Sequence, residues 1–329
     1  MKKYSAHSKP TLILHSPWWN RLITVLKFLA GSGLIIFLFV SGNLNFADIL
    51  SSYRNPPALI AGILCCTAAF IIPIFRWWIL ARIQMLPVSG FEAFRLTMIG
   101  YFFNTFIPGS SGGDIVRAVY TVRACPERKA QALTVAFADR GLGLHALLLV
   151  SAAAFFIKPT LFDNAPHVKP WLTLISGMLI AGIVIPVFML WERTNRFLVS
   201  LCGRMVGGAD AWREALQLYR QQPAMVCLAY LCSIGNVVFN VLMIHFMMLA
   251  VGSTPELIES LVIAPLVILA NAIPITPGGI GIAEAASAGL YTIVGQAGGA
   301  NGMLLTRFVV IIHSMIGFPF FLLGKRHQD

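Results

Sequence analysis

Residues 104–114 read NTFIPGSSGGD and residues 271–284 read NAIPITPGGIGIAE, one segment in each half of the chain. Each segment combines asparagine, proline, paired glycines and an acid, and each interrupts an apolar stretch. Proline and glycine clusters end a helix, and in hydrocarbon a non-helical backbone survives only where protein buries it or where it lines a wet cavity. Two broken segments in corresponding positions are the sequence signature of a transporter binding site. The pair therefore predicts a polar site inside a membrane.

The composition around these segments is that of a membrane protein. Of the 329 residues, 57% are hydrophobic and only 11% are charged, whereas a soluble protein is about 25% charged. The net charge is +11, and because membrane proteins carry their cations on cytoplasmic loops, we expect no nucleic acid partner. The six cysteines lack CxxC spacing, and His145, His245 and His313 lie far apart without local ligand spacing. We therefore expect no disulfide framework, no metal site and no cofactor.

Six stretches are apolar enough to cross a bilayer, which takes about 20 residues: Leu22–Val40, Pro57–Phe75, Ala130–Ile157, Trp171–Trp191, Pro223–Ala250 and Met303–Leu323. The shorter apolar stretches 98–114 and 257–294 contain the breaks, and we interpret them as re-entrant or broken helical hairpins. Residues 192–222 mix apolar side chains with five arginines and predict an amphipathic helix on the membrane face, and residues 76–95 predict another. The expected fold is all-α and polytopic, one integral membrane domain over residues 1–329.

The distribution of positive charge orients the spans. With six spans and the N-terminus inside, 18 of the 24 lysines and arginines fall on the inner side, three on the outer side and three within spans. Both termini, residues 1–21 and 324–329, are then cytoplasmic. The halves 22–157 and 170–323 each hold three spans with a broken hairpin before the third, in opposite orientations, as in inverted-repeat transporters. We expect a multi-pass protein of the bacterial inner membrane.

The first break ends in the start of a helix. Gly112 and Gly113 lead into Asp114, and Arg117 follows one turn later. Free backbone N–H groups and the helix dipole favour an anion there, and Arg117 could bind a phosphate through two hydrogen bonds. The alternative is a capped helix in which Asp114 and Arg117 form an ion pair at i,i+3.

The second break also leads into an acid. Gly278 and Gly279 allow the backbone to approach a ligand closely, and Glu284 follows them. Glu284 could bind an amine or carry a proton. The alternative is a carboxylate that the helix dipole favours at a helix N-terminus.

Charged residues also lie within two predicted spans. Asp139 and Arg140 are in the third span, where each charge costs roughly 2.5–3.5 kcal/mol at the bilayer centre. Such residues face the interior and pair, so they indicate either a functional site or an ion pair that locks helices together. Arg307, in the sixth span, is a candidate partner for Asp139 or Glu284.

Three motifs in this order resemble the lysylphosphatidylglycerol synthase transmembrane-region family, also described as the flippase-like domain family. They consist of Asn104, Pro108, Gly109, Gly112, Gly113, Asp114 and Arg117, then Asp139, Arg140, Gly143 and Leu144, then Pro274, Pro277, Gly278, Gly279, Gly281 and Glu284. The resemblance covers about Ile72 to Leu323. It implies a polytopic inner or plasma membrane protein with re-entrant elements, and the best-known members move aminoacylated phosphatidylglycerol between leaflets. In the bifunctional members a soluble C-terminal acyltransferase makes that lipid. This chain ends at Asp329, so we expect no enzymatic activity.

The leading functional hypothesis is a membrane lipid translocase that moves a phospholipid or a related polar-headed lipid between leaflets. The alternatives are a secondary transporter of a small polar solute and a non-transporting subunit that recruits a partner enzyme. Membrane lipids are the expected partners, with a homo-oligomer or a lipid-modifying enzyme left open. The candidate binding and transport residues are Asn104, Pro108, Gly112, Gly113, Asp114, Arg117, Asp139, Arg140, Asn271, Pro277, Gly278, Gly279, Glu284 and Arg307.

Overall fold

The structure is a computed structural model that describes residues 51–106, 112–162, 208–273, 275–276 and 278–324, together with the single positions 36, 40, 170 and 177. All regular structure in this part of the chain is helical. Ten α-helices are numbered here in chain order. They are α1 (Pro56–Ile83), α2 (Gly90–Phe106), α3 (Gly112–Ala124), α4 (Lys129–Ile157), α5 (Gly208–Gln221), α6 (Pro223–Ala250), α7 (Leu257–Asn271), α8 (Ile282–Ile293), α9 (Gly299–Ser314) and α10 (Gly317–Gly324).

Four helical stretches are long and apolar enough to cross a membrane: Pro56–Ile83, Pro126–Ile157, Pro223–Ala250 and Gly299–Leu322. They correspond to the second, third, fifth and sixth predicted spans. The protein is therefore an all-helical polytopic membrane protein, as the sequence predicted. The other two predicted spans, Leu22–Val40 and Trp171–Trp191, lie outside the described residues, as do the tails 1–21 and 325–329, apart from isolated positions within the spans.

The helix α1 runs further than predicted. It continues past Phe75 to Ile83, and the next helix begins only at Gly90. The predicted amphipathic helix over residues 76–95 was therefore wrong. A charge can extend the span because Arg76, which is buried, pairs with an acid on another helix, and this pairing lowers the cost of burying it. Of the predicted amphipathic stretch 192–222, the structure describes the last part, as α5.

The most extensive helix–helix contact in the described part of the chain joins α1 and α6, which pack side by side in opposite directions. At one end Asn55 donates to the carbonyl of Leu249 over 3.2 Å, and further along Arg76 donates to Ser233 over 3.1 Å. The end of α1 lies near α5, where Gln84 donates to the carbonyl of Ala215. This antiparallel pair is the axis around which the other helices are arranged.

The remaining contacts repeat around this axis. Helices α1 to α4 contact one another in the same pattern as α6 to α9: first with second, second with third, third with fourth, and first with fourth. The contacts between the halves are also exchanged, since α4 packs on α6 and α7 while α9 packs on α1 and α2. The described part of the chain thus has an approximate two-fold arrangement in which the two halves run in opposite directions.

Each half contains a helical hairpin that opens at one end of the bundle. The α2–α3 hairpin opens at the end where Arg128 donates to the carbonyl of Met85, here called the Arg128 end. The α7–α8 hairpin opens at the opposite end, where Lys158 forms an ion pair with Glu256 at 2.7 Å, here called the Lys158 end. Each hairpin therefore extends into the bundle from its own end.

Candidate functional site

The tips of the two hairpins meet inside the bundle. At Gly278, in the second tip, a Cβ atom would lie only 3.1 Å from the carbonyl oxygen of Thr105 in the first tip. A cavity of about 280 Å³ lies beside this contact. Its polar lining is Tyr101, Asn104, Thr105, Asn236, Asn240, Asn271, Thr306, Arg307 and Ser314. The remaining lining is mostly apolar and includes Phe70, Met243 and Ile268, so the cavity is amphipathic.

An asparagine secures each tip. The Asn104 side-chain oxygen accepts a 2.6 Å hydrogen bond from the backbone N–H of Gly113, which joins α2 to the start of α3. In the second tip Asn271 lies against Gly279, where a Cβ atom would come within 2.0 Å of the Asn271 side-chain oxygen. Gly279 also has a positive φ of 71°, which favours glycine. Both tips therefore require a glycine where the asparagine closes the hairpin.

Arg307 on α9 holds the second tip. Its guanidinium donates to the carbonyl oxygens of Gly278 at 2.7 Å and Gly279 at 3.1 Å, and more weakly to the Asn271 side chain at 3.4 Å. The same group forms an ion pair with Glu284, which is fully buried. Arg307 is therefore the partner of Glu284 and links α8, α9 and the tip between α7 and α8.

The first half contains the corresponding ion pair. Asp114 is the third residue of α3 and pairs with Arg140 on α4 at 2.5 Å. Glu284 is the third residue of α8 and pairs with Arg307 on α9. In each half, then, an acid in the first turn of the second hairpin helix binds an arginine of the following span. The first pair is more exposed: the side chain of Arg140 is 48% exposed, whereas that of Arg307 is 13% exposed.

A buried ion network occurs in the first half without a counterpart in the second half of the described chain. Asp139 accepts hydrogen bonds from Arg76 and Arg117, each over 2.6 Å. Arg117 also pairs with Asp114 at 3.3 Å and stacks on Trp77, with 3.9 Å between its guanidinium and the ring centroid. Because the Asp139 side chain is only 3% exposed, these partners offset the desolvation of its charge.

The cavity wall on α6 carries two amides that were not among the predicted site residues. Asn236 donates to the carbonyl of Ala69 over 2.8 Å, and Asn240 donates to the carbonyl of Asn236 over 2.8 Å. Their side-chain oxygens accept no hydrogen bond from the described part of the chain, which leaves them available as acceptors. Two amides at i,i+4 share one helix face, and this spacing in an apolar span was the signal that could have identified them.

The predicted site residues that the structure describes divide into three groups. Asn104, Asn271, Gly278 and Arg307 line the cavity. Gly279 and Glu284 bind the Arg307 guanidinium through a carbonyl oxygen and a carboxylate. The residues in or beside the ion network of the first half are Gly112, Gly113, Asp114, Arg117, Asp139 and Arg140. Pro108 and Pro277 lie outside the described residues.

Three histidines within the spans have separate partners. His145 bonds with Tyr230, His245 with Ser260 and His313 with Thr67, over 2.6, 3.0 and 3.1 Å respectively. Among the residues that the structure describes, no group of three or more histidines, cysteines or acids is placed to hold a metal ion.

Comparison with known proteins gives one family match and one curated relative, each over most of the chain. The family model described as "Lysylphosphatidylglycerol synthase TM region" matches residues 24–324. A curated "UPF0104 membrane protein" of Methanothermobacter thermautotrophicus is 24% identical over 311 residues, which cover 84% of this chain and 85% of the relative. None of the solved structures compared matches the chain.

Proposed function

Because the chain belongs to the family of the lysylphosphatidylglycerol synthase transmembrane region, we propose that it is a membrane lipid translocase. The polar head group of a phospholipid, or of a related lipid, would occupy the cavity between the hairpin tips while its acyl chains remain in hydrocarbon. The observation that carries this proposal is the amphipathic cavity of about 280 Å³ at the meeting point of two hairpins from opposite ends.

We propose that both hairpins are re-entrant and that the Arg128 end faces the cytoplasm. Arg82, Arg95, Arg123, Arg128 and Lys129 belong to the helix ends and turns at that end, and positive charge favours the cytoplasmic side. The first hairpin would then enter from the cytoplasm and the second from the outer side. Non-helical backbone at this depth is tolerated where it is buried in protein or lines a cavity, and Gly278 of the second tip lines the cavity.

The cavity lining suits a head group with both donors and acceptors. The side-chain nitrogens of Asn104 and Asn271 are donors that have no acceptor among the described residues, and Arg307 contributes positive charge beside them. Across the cavity Asn236 and Asn240 offer carbonyl oxygens. A phosphate would bind at the hairpin tips, and the hydroxyl or amine groups of the head would bind at α6.

The two halves would alternate access by rocking about the α1–α6 pair. The pairs Asp114–Arg140 and Glu284–Arg307 each connect a hairpin to the following span. Each hairpin would therefore move together with its span, and the contact between the tips at Gly278 and Thr105 would change. In this mechanism the buried network around Asp139 keeps the first half rigid.

A lipid-transfer assay in proteoliposomes tests the proposal. Labelled phospholipid would be followed as it leaves the leaflet accessible to a quencher. We expect Asn240→Leu to reduce the rate about tenfold, because one lost hydrogen bond to a charged or polar head costs roughly 1.4 kcal/mol. The control Leu231→Ala lies on the same helix with an exposed side chain and should transfer lipid at the wild-type rate. Equal rates in wild type, both variants and empty liposomes would overturn the proposal.

A secondary transporter of a small polar solute is the second candidate. The cavity volume of about 280 Å³ is near the lower end for small-molecule sites, which begin at about 300 Å³. Uptake of labelled sugars, amino acids and polyols from the external solution into the same proteoliposomes separates the two functions. Accumulation of a solute without lipid transfer would favour this second candidate.

A further inference from the structure

A second cavity, of about 250 Å³, lies at the Arg128 end between the start of α2 and the end of α3. Its polar lining is Glu92, Arg95, Tyr120, Thr121 and Arg123. It shares no lining residue with the cavity between the hairpin tips. The two cavities are therefore separate, and the function proposed above uses only the first.

Two arginines in this second cavity lack an acid partner in the described part of the chain. No ion pair joins Arg95 or Arg123 to an acid there, and the Nε atom of Arg95 is shielded from solvent without an acceptor. The nearby Glu92 is engaged elsewhere: its carboxylate accepts from the backbone N–H of Ser89 over 3.0 Å, in a reciprocal cap at the start of α2. A buried donor without an acceptor is costly, and an anion bound in this cavity would supply the acceptor.

The surroundings add positive charge and apolar surface. Arg128 and Lys129 lie in the short connection from α3 to α4 and at the start of α4, and Glu127 is the acid beside them. The lining also includes Pro87, Val88 and Leu96, and Phe91 projects from the start of α2 with 65% of its surface exposed. An anionic group with an apolar remainder fits such a boundary between water and hydrocarbon.

We propose that this cavity binds an anionic phosphate ester, with Arg95 and Arg123 as the cationic contacts and Tyr120 as a hydroxyl donor. The shared chemistry is a phosphate carried by a phospholipid head group or by a soluble ester. The site also touches the buried network, because Thr121 donates to the carbonyl of Arg117 and Thr97 accepts from the Arg117 guanidinium. An anion bound here would therefore lie one helical turn from Arg117 without entering the central cavity.

Native mass spectrometry of the full chain tests the site. Wild type would be titrated with phosphatidylglycerol, with phosphatidylcholine and with glycerol phosphate. We expect R95Q/R123Q to weaken phosphatidylglycerol binding by about tenfold or more, which corresponds to about 1.4 kcal/mol or more, because both charge-assisted contacts to the phosphate are lost. The matched control R82Q/R213Q removes the same amount of positive charge from residues that do not line this cavity. Arg82 stacks on Trp78 and Arg213 pairs with Asp210, so this variant should bind phosphatidylglycerol like wild type. Equal losses in both double variants would overturn the proposal in favour of general electrostatic attraction.

A second measurement needs no variant. Hydrogen exchange of wild type in nanodiscs would compare residues 90–96 and 120–125 between phosphatidylglycerol and phosphatidylcholine bilayers. Slower exchange of both segments in phosphatidylglycerol supports a lipid ligand, and slower exchange with glycerol phosphate in phosphatidylcholine assigns the site to a soluble ester. No change under either condition would overturn the site even if the arginine variants fail to fold. This measurement is independent of the proteoliposome assay, so an absence of lipid transfer there would not overturn the anion site.

Discussion

Asp139 is the residue on which the buried charges of the first half converge. It accepts from Arg76 and Arg117 over 2.6 Å each, and its side chain is almost fully buried. Breaking a buried ion pair on one side leaves the remaining charge without compensation, which costs about 3–5 kcal/mol. In this arrangement Asp139 stabilises the junction of α1, α3 and α4.

The substitution Asp139→Asn therefore tests whether Asp139 stabilises the fold or takes part in lipid transfer. It keeps the shape of the side chain and removes the charge, so we expect a loss of about 3 kcal/mol in the free energy of unfolding, measured by thermal unfolding in detergent micelles. The control Asp210→Asn breaks a pair whose carboxylate is 95% exposed and should leave the melting temperature nearly unchanged. Unchanged stability with lost lipid transfer in Asp139→Asn would instead make Asp139 a transport residue.

At the scale of elements, an equivalent acid–arginine pair joins each hairpin to its following span, and the buried Arg117–Asp139 pair joins the first hairpin to α4 as well. The Asp114–Arg140 and Glu284–Arg307 pairs occupy equivalent positions but differ in burial. Arg307 also supports the carbonyl oxygens of Gly278 and Gly279, so the second hairpin depends on its arginine more strongly. The two pairs therefore occupy equivalent positions in the two-fold arrangement but are expected to contribute differently to stability.

This difference predicts unequal effects of two matched alanine substitutions. Arg307→Ala leaves the fully buried Glu284 without its cationic partner and the Gly278 carbonyl without its arginine donor, and we expect a loss of about 3 kcal/mol in unfolding free energy. Arg140→Ala removes a half-exposed partner and should cost about 1 kcal/mol or less. Thermal unfolding of both variants in the same detergent gives the comparison. Equal losses would show that the two pairs contribute equally, against the burial argument.

At the scale of the whole molecule, the hairpins open at opposite ends, and their described residues meet at the tips. Thr105 and Gly278 are in contact there, and the central cavity lies beside them. A membrane around the four spans would then separate the open ends by its full thickness. The proposed topology requires the Arg128 end and the Lys158 end to face different compartments.

Site-specific labelling tests this topology. In a variant whose six native cysteines are replaced, Glu127→Cys would report the Arg128 end and Glu256→Cys the Lys158 end, because both residues are exposed. In sealed right-side-out vesicles, we expect an impermeant maleimide to label Glu256→Cys at once and Glu127→Cys only after permeabilisation. Labelling of both positions from the outside would contradict the proposed re-entrant topology.

Several features were predictable because they depend on local sequence. The long apolar runs predicted the spans that the structure describes, one of them, Pro223–Ala250, with the same bounds. The second proline and glycine cluster predicted where a helix stops, and α7 ends at Asn271. In a membrane these signals are strong, since a span must be apolar throughout and each backbone polar group must be satisfied nearby.

By itself the sequence determined the helical membrane class, the breaks and the candidate residues around them. Only the tertiary structure decided which charges meet: Arg307 binds Glu284 rather than Asp139, and Arg76, expected on the membrane face, reaches Asp139 across 63 positions of the chain. It also decided that Asn236 and Asn240 join the hairpin tips around one cavity. The physical reason is that a span is specified by its own residues, whereas a partner is specified by the helix faces that packing brings together.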